Sequence, residues 1–254
     1  MPKIECHNLT KVFWIRNQSF EAIKDLNFEV DSGELVAVVG KTGCGKSTTL
    51  NVLLGLERPT HGRLAIDGKE PYKDFDFFRG KLSAVFQTDR LLPWRTVLQN
   101  ATYGLEILHF PQQERVKKAR YWLEKVGLTH FENAYPHELS GGMRQRVGIA
   151  RAFSIDPEVL LCDEAFGHLD EVTARQLRDD FLNLIRETKK TSVFITHDID
   201  EALELGERVL VLGKPARLLM NVQVPPATKE NPTKQAEIKS RIIQAIESDG
   251  TRKE

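Results

Sequence analysis

The stretch that most restricts this 254-residue chain is Gly40 to Thr48, GKTGCGKST, set between the apolar run Leu35 to Val39 and a helix-like segment carrying Leu50, Leu53 and Leu54. A buried strand that feeds a glycine-rich turn and then a helix aims successive backbone N–H groups at one spot, where the helix start adds its partial positive charge. Such a nest fits a di- or triphosphate. Gly43 and Gly45 allow turns and a close approach that a Cβ would hinder, Lys46 can reach terminal phosphates, and the Ser47 hydroxyl suits Mg²⁺. Gly40, Lys41, Thr42, Cys44 and Thr48 complete the loop predicted to cradle the nucleotide.

Composition narrows the partners. Lys plus Arg equals Asp plus Glu at 36 each, so no global positive field draws in a polyphosphate backbone, and nucleic acid is not expected as a partner. Three cysteines, Cys6, Cys44 and Cys162, form an odd, widely spaced set without a CxxC pair. That fits a reducing compartment better than a disulfide framework or a zinc site. The N-terminus MPKIECHNLTK lacks the apolar core of a signal peptide, and no run approaches the ~18 apolar residues of a membrane span. A link to a membrane is therefore expected to run through a partner.

Short apolar and polar runs alternate through the first forty residues, with Ile4, Phe13, Phe28 and Val30 apolar, and predict strands joined by turns such as Asp31-Ser32-Gly33. Arg63 to Ile66 followed by Asp67-Gly68 predicts a hairpin, and Leu82 to Phe86 a further strand ending at Gln87. From about residue 90 to 150 the pattern turns helical, with Thr96 as N-cap, Pro111 opening a second helix and Gly127 just beyond its end. Strand and helix then alternate: Val159 to Cys162, Glu171 to about Glu187, Ser192 to Thr196, Ile199 to Leu205, Val209 to Leu212. Alternation of this kind implies a parallel sheet covered by helices. The expected division is a domain over residues 1–220, with the helical unit inserted at about 90–150, and a charged tail over 221–254. In that tail Ile238, Ile242, Ile243 and Ile246 form a narrow stripe on a short helix, expected to pack on its own domain, with a partner contact as the alternative.

Val159 to Cys162 ends in Asp163-Glu164, two acids at the carboxyl end of a buried strand, where ligands of open α/β sheets bind. Mg²⁺ takes one or two protein carboxylates, so Asp163 is the natural metal ligand, through water, beside Ser47. Glu164 then remains to orient or deprotonate an attacking water, the alternative being a structural ion pair. His197 ends the next strand, where an imidazole could donate to a terminal phosphate oxygen or be merely hydrogen-bonded. Gln87 offers an amide oxygen to metal or water, or is simply polar.

A second anion grip lies in LSGGMRQRVGIARA, residues 139–152, where Ser140, Gly141 and Gly142 open a helix. With this motif the chain resembles an ATP-binding cassette (ABC) ATPase from about residue 3 to residue 220. GKTGCGKST matches the family's Walker A loop, Gln87 its Q-loop, LSGGMRQR its signature, VLLCDE its Walker B strand, Leu169-Asp170 its D-loop, His197 its switch histidine and Phe13 its adenine-stacking aromatic.

The resemblance implies an α/β fold: a P-loop NTPase (RecA-like) core with an antiparallel β subdomain and an inserted α-helical subdomain. It implies an ATPase with Glu164, His197 and Gln87 catalytic and Ser47, Gln87 and Asp163 holding Mg²⁺. Two cassettes would pair head to tail, Ser140 and Gly142 of one closing over ATP held by Lys46 of the other, with Asp170 at the seam. Transmembrane permease subunits, a second cassette, identical or related, and indirectly a solute-binding protein are the implied partners, at the cytoplasmic face of the membrane. Leu91 to Val97, LLPWRTV, is similar to the hallmark of importers of nitrate, sulfonates, taurine and bicarbonate. Soluble cassettes of DNA repair or translation, and exporter cassettes, are the alternatives. Long coiled coils between Walker A and signature, or two cassettes per chain, would mark the soluble ones, and this chain has neither.

Three departures stand out. Ala165 replaces the usual proline and frees a backbone dihedral. His168 puts a titratable group at the dimer seam, where it is either silent and exposed or makes closure pH-sensitive. Cys44, beside Lys46 and a helix N-terminus, is expected to have a depressed pKa and to be open to alkylation.

Overall fold

The computed structural model describes residues 2–16, 18–229 and 231–251. Met1 and Asn17 of the expected first domain and Glu230 and residues 252–254 of the expected tail lie outside them. In chain order the elements are β1 (Ile4–Ile15), β2 (Gln18–Val30), β3 (Leu35–Gly40), α1 (Lys46–Leu53), β4 (His61–Ile66), β5 (Leu82–Phe86), α2 (Val97–Ile107), α3 (Gln112–Lys125) and α4 (Gly141–Ser154). They continue as β6 (Val159–Asp163), α5 (Glu171–Thr188), β7 (Thr191–Thr196), α6 (Ile199–Leu205), β8 (Arg208–Leu212), β9 (Leu218–Gln223), α7 (Pro226–Lys229) and α8 (Pro232–Thr251). The chain forms two compact units, Met1–Phe78 with Thr191–Glu254, and Arg79–Lys190.

In the first unit β3 is wholly buried and reads as an unbroken apolar run, as a strand covered on both faces must. It pairs in parallel with β7 on one side, Leu35 opposite Ser192 through Val39 opposite Thr196, and with β8 on the other, Val36 opposite Arg208 through Gly40 opposite Leu212. The carboxyl ends of these strands therefore lie at one edge. β9, which the sequence reading did not anticipate, adds antiparallel to β8. It is a half-exposed strand of mixed composition, LLMNVQ, without the alternation that would announce it.

β1 lies between β2 and β4 in a three-stranded antiparallel sheet. The hairpin expected after Ile66 is corrected here. Asp67 and Gly68 do turn the chain with φ of 50° and 71°, the left-handed pair a tight turn requires. Beyond them, however, the pairing is a single bridge between Ile66 and Lys69, because β4 takes β1 as its strand partner.

The tail helix α8 is longer than the expected short helix. Ile242 is fully buried with Ala37, Val39, Leu203, Val209 and Val211, and Ile238 and Ile246 pack against the same cluster. Burying an isoleucine contributes about 1.5–3 kcal/mol, which is enough to fasten an otherwise charged helix to its own domain. Ile243 of the stripe stays exposed.

In the second unit β5 and β6 pair in parallel with Phe86 opposite Asp163. Helix α2 begins at a capping box in which Thr96 accepts from Gln99 N–H at 3.3 Å and Gln99 accepts from Thr96 N–H at 3.0 Å. The aromatic rings of Trp122 and Phe153 (4.9 Å), Phe153 and Phe181 (6.3 Å) and Phe166 and Phe181 (5.8 Å) tie α3, α4 and α5 to the turn after β6. Leu177, Phe181, Leu184 and Ile185 form the buried face of α5, as the helical spacing predicts.

Candidate functional site

In the first unit β3 delivers Gly40 at its carboxyl end, and the chain turns through residues 41–45 into α1. A Cβ on Gly40 would lie 2.7 Å from Leu212 O, and one on Gly45 2.2 Å from Ala22 O, so neighbouring backbone excludes any side chain there. Gly45 also holds φ at 115°, open only to glycine. These restrictions shape the loop. Lys46 is buried, with its ammonium donating to Gly40 O at 2.7 Å and Lys41 O at 3.3 Å, so it is bent across the loop it would serve. Ser47, Lys41 and Thr42 are exposed and Thr48 is half-buried, which leaves the Ser47 hydroxyl accessible.

Cys44 corrects the expectation of a reactive thiol. It is 2% exposed, and burial pushes its pKa above the ordinary thiol value, with the opposing pull of Lys46 the smaller effect. Enclosure of the sulfur disfavours the thiolate more than the nearby cation favours it.

His197 follows Thr196, which stands beside Val39 in the parallel register. It is exposed, in a turn fixed by its neighbours. Asp198 caps α6 by accepting from Asp200 N–H (2.8 Å) and Glu201 N–H (3.2 Å), and the Thr196 hydroxyl accepts from Asp198 N–H at 3.0 Å. Phe13 is half-buried on β1 opposite Phe20, with the Lys11 ammonium 4.7 Å from its ring centre. Its neighbour Trp14 is 75% exposed.

In the second unit the β5–β6 register sets Gln87 and Glu164 one residue beyond two adjacent strand ends. The Gln87 Nε2 donates to Glu164 Oε2 at 3.3 Å, which orients the carboxylate and leaves the amide oxygen free of that bond. Glu164 sits at φ 46°, a left-handed conformation uncommon for a residue with a Cβ. Asp163 before it is half-buried, and Ala165 after it is buried. Asp163, Ser47 and the Gln87 amide are all hard-oxygen donors, the chemistry Mg²⁺ prefers.

Ser140 caps α4, its hydroxyl accepting from Met143 N–H at 3.3 Å. Gly142 is buried, and a Cβ on it would lie 2.6 Å from Thr173 Cγ2 of α5, whereas one on exposed Gly141 would make an ordinary 3.5 Å contact with Leu169. Asp170 caps α5 by accepting from Thr173 N–H at 3.0 Å, and that bond holds its carboxyl below the usual range. The start of α4 and the Leu169-Asp170 turn thus meet within one unit.

Several residues with no role in the sequence reading hold the segment after Gln87. Gln145 donates to Phe86 O at 3.1 Å, Arg144 pairs with Asp89 at 3.0 Å and donates to Leu139 O at 2.8 Å, and Arg151 donates to Asp89 O (2.7 Å) and Arg90 O (2.8 Å). Asn100 of α2, fully buried, accepts from Leu92 N–H at 2.8 Å and donates to the carbonyls of Leu92, Arg95 and Thr96. For Arg144 and Gln145 the signal was present in MRQR, whose long polar side chains need partners when a helix packs. Trp94 is 70% exposed at the mouth of a groove of about 620 Å³ between α2 and α3, where Arg95 grips Glu106 with both nitrogens at 2.6 and 3.4 Å.

Among the described residues no helix is long and apolar enough to cross a membrane, and no cluster of three or more His, Cys, Asp or Glu could hold a metal by itself. A profile of the ABC transporter family matches residues 23–167. The aliphatic sulfonates import ATP-binding protein of Bacillus anthracis is 36% identical over 97% of each chain. The nitrate import ATP-binding protein of a Synechocystis species is 42% identical over 83% of this chain and 77% of its own. A dimeric structure of a bacterial ABC transporter cassette is 34% identical, covers 87% of this chain and 98% of its own, and superposes with a TM-score of 0.78. The same cassette has been solved as a dimer in a post-hydrolysis state bound to ADP and phosphate.

Proposed function

The chain belongs to the ABC transporter family as an ATP-binding ATPase subunit, and we propose that it drives the import of a small anion or sulfonate-like solute through a separate permease. Support for the solute class comes from the sulfonate and nitrate import relatives and from LLPWRTV at Leu91 to Val97.

On this reading the loop from Gly40 to Thr48 holds the phosphates of ATP, Lys46 leaves its carbonyl partners for the terminal phosphates, and Phe13 stacks on adenine. Ser47, Asp163 and the Gln87 oxygen would hold Mg²⁺, which would neutralise phosphate charge. Glu164 takes the proton of the attacking water as its oxygen bonds to the γ-phosphorus and the bond to ADP breaks. His197 donates to a γ-phosphate oxygen. Ser140, Gly141 and Gly142 of a second copy, with Asp170 at the seam, close over the same nucleotide, so ATP joins the two cassettes and hydrolysis releases them. The observation that carries the reading is the Gln87–Glu164 hydrogen bond, which orients a carboxylate just beyond a strand end and so supports Glu164 as the base.

The groove beside Trp94 is the proposed seat of the permease, placing the subunit at the cytoplasmic face of the membrane with a solute-binding protein acting on the far side. Affinity capture from detergent-solubilised membranes tests it. An integral membrane subunit should co-purify, and Trp94→Ala should weaken its capture. Recovery of the cassette free of any membrane protein, or bound equally well by Trp94→Ala, would contradict the importer reading.

A further inference from the structure

The end of the tail helix α8 is locked to the turn after β8. Asp249, its side chain only 8% exposed, accepts from Lys214 N–H at 2.8 Å with one carboxylate oxygen and pairs with the Arg217 guanidinium through the other. Arg217 in turn donates to Lys214 O at 3.2 Å, and Gly213 N–H donates to Arg217 O at 3.0 Å. The fit is tight: a Cβ on Gly213 would come within 2.6 Å of Asp249 Oδ2. A buried acid on α8 thus fixes residues 213–217 through backbone and side chain together.

What this turn presents is Lys214. Its Nζ lies 3.7 Å from the point a Cβ would occupy on Gly43, in the middle of the phosphate loop. Its charge also reaches Cys44. Lys41 flanks the same place, with its Nζ 3.3 Å from the Cβ position of Gly250 at the end of α8, and a cavity of about 100 Å³ opens between Lys41, Lys214, Ile246 and Asp249. Among the described residues neither Lys41 nor Lys214 lies within ion-pair distance of a carboxylate. Asp249, the nearest acid, is committed to Arg217 and a backbone N–H.

We propose that Lys214 is a further phosphate-contacting residue of the nucleotide site and that Asp249, through the 213–217 turn, is the residue that positions it, so that the tail helix sets nucleotide affinity. This rests on the reading that residues 40–48 hold the phosphates of ATP. Lys214 is exposed, so its contribution is a screened one, worth about 3- to 10-fold in affinity at low salt and fading as the Debye length falls.

The test is titration of the full chain with ATP at 50 mM and 500 mM salt. Lys214→Ala should raise the ATP Kd about 3- to 10-fold at the lower salt and little at the higher, and Lys214→Arg should restore it. Asp249→Asn should shift the Kd in the same direction, leave kcat at saturating ATP unchanged, and add little on top of Lys214→Ala, as residues acting through one contact do. Because Lys214 is exposed, its substitution does not threaten folding and decides the matter alone. An unchanged Kd in Lys214→Ala at low salt, or a loss independent of salt, overturns the proposal. Lys46→Ala separates the two levels. If it loses ATP while Lys214→Ala keeps it, the loop reading stands and this one falls, and if Lys46→Ala binds ATP normally both fall.

Discussion

The amide nitrogen of Gln87 lies 3.3 Å from a carboxylate oxygen of Glu164, joining the residues that follow two neighbouring parallel strands. Gln87 is itself fixed from behind, because the residue before it is held by Gln145 and the residues after it by Arg144, Arg151 and Asn100. The backbone that carries this amide is therefore held on both sides. Gln87→Ala should lower kcat for ATP hydrolysis about 10-fold with a smaller change in KM, since the orientation of Glu164 and one proposed metal oxygen are lost while residues 40–48 are untouched. Steady-state kinetics on the purified subunit checks this, and a change confined to KM would count against an orienting role.

Gly142 is required by packing, and its neighbour Gly141 is not. A methyl group on Gly142 would meet Thr173 Cγ2 at 2.6 Å, and threonine on a helix has only two χ1 rotamers in which to place that methyl. Gly142→Ala should destabilise the fold by about 1–3 kcal/mol in urea unfolding, whereas Gly141→Ala should stay within about 0.5 kcal/mol of the native chain. Equal effects would mean that α4 and α5 do not approach as closely as described.

Cys44 should be slow to alkylate. Its pKa is raised by burial, so at neutral pH the reactive thiolate is scarcer than in an ordinary cysteine and becomes abundant only as the pH climbs past the usual thiol range. Cys6 and Cys162 are also buried. N-ethylmaleimide at pH 7 should therefore find no thiol reacting within 10-fold of the rate of free cysteine, and three reacting in denaturant. Rapid native labelling at Cys44 would restore the reactive-thiol expectation.

The parts of the fold legible in the sequence are those decided within a few residues. The glycine-rich turn of residues 41–45 between β3 and α1 is one, because glycine spacing and an apolar strand are local facts. The Thr96 cap, the turn at Asp67-Gly68 and the buried stripe of α5 are others. What stayed hidden depends on distant chain. β4 reads as half of a local hairpin, yet its partner is β1, some sixty residues earlier in the pairing of Ile4 with Ile66. β9 has no pattern of its own and is made by the edge of β8. The state of Cys44 is set by enclosure that no neighbour in sequence announces, so its adjacent lysine pointed the wrong way. Asp249 looked like one more charge in a charged tail until burial gave it Arg217 and Lys214 as partners.

The central claim is that Glu164 activates the water and that ATP joins two copies of this chain. Glu164→Gln keeps the shape and the hydrogen bond of the side chain but cannot take a proton. Its mass with ATP and Mg²⁺, read by light scattering during size exclusion alongside its rate of phosphate release, tests both halves together. The expected result is a species of twice the 28.9 kDa of one chain, with hydrolysis slowed about 100-fold or more, and a return to single chains with ADP. A variant that hydrolyses ATP at the native rate, or remains a single chain with ATP bound, would contradict the account.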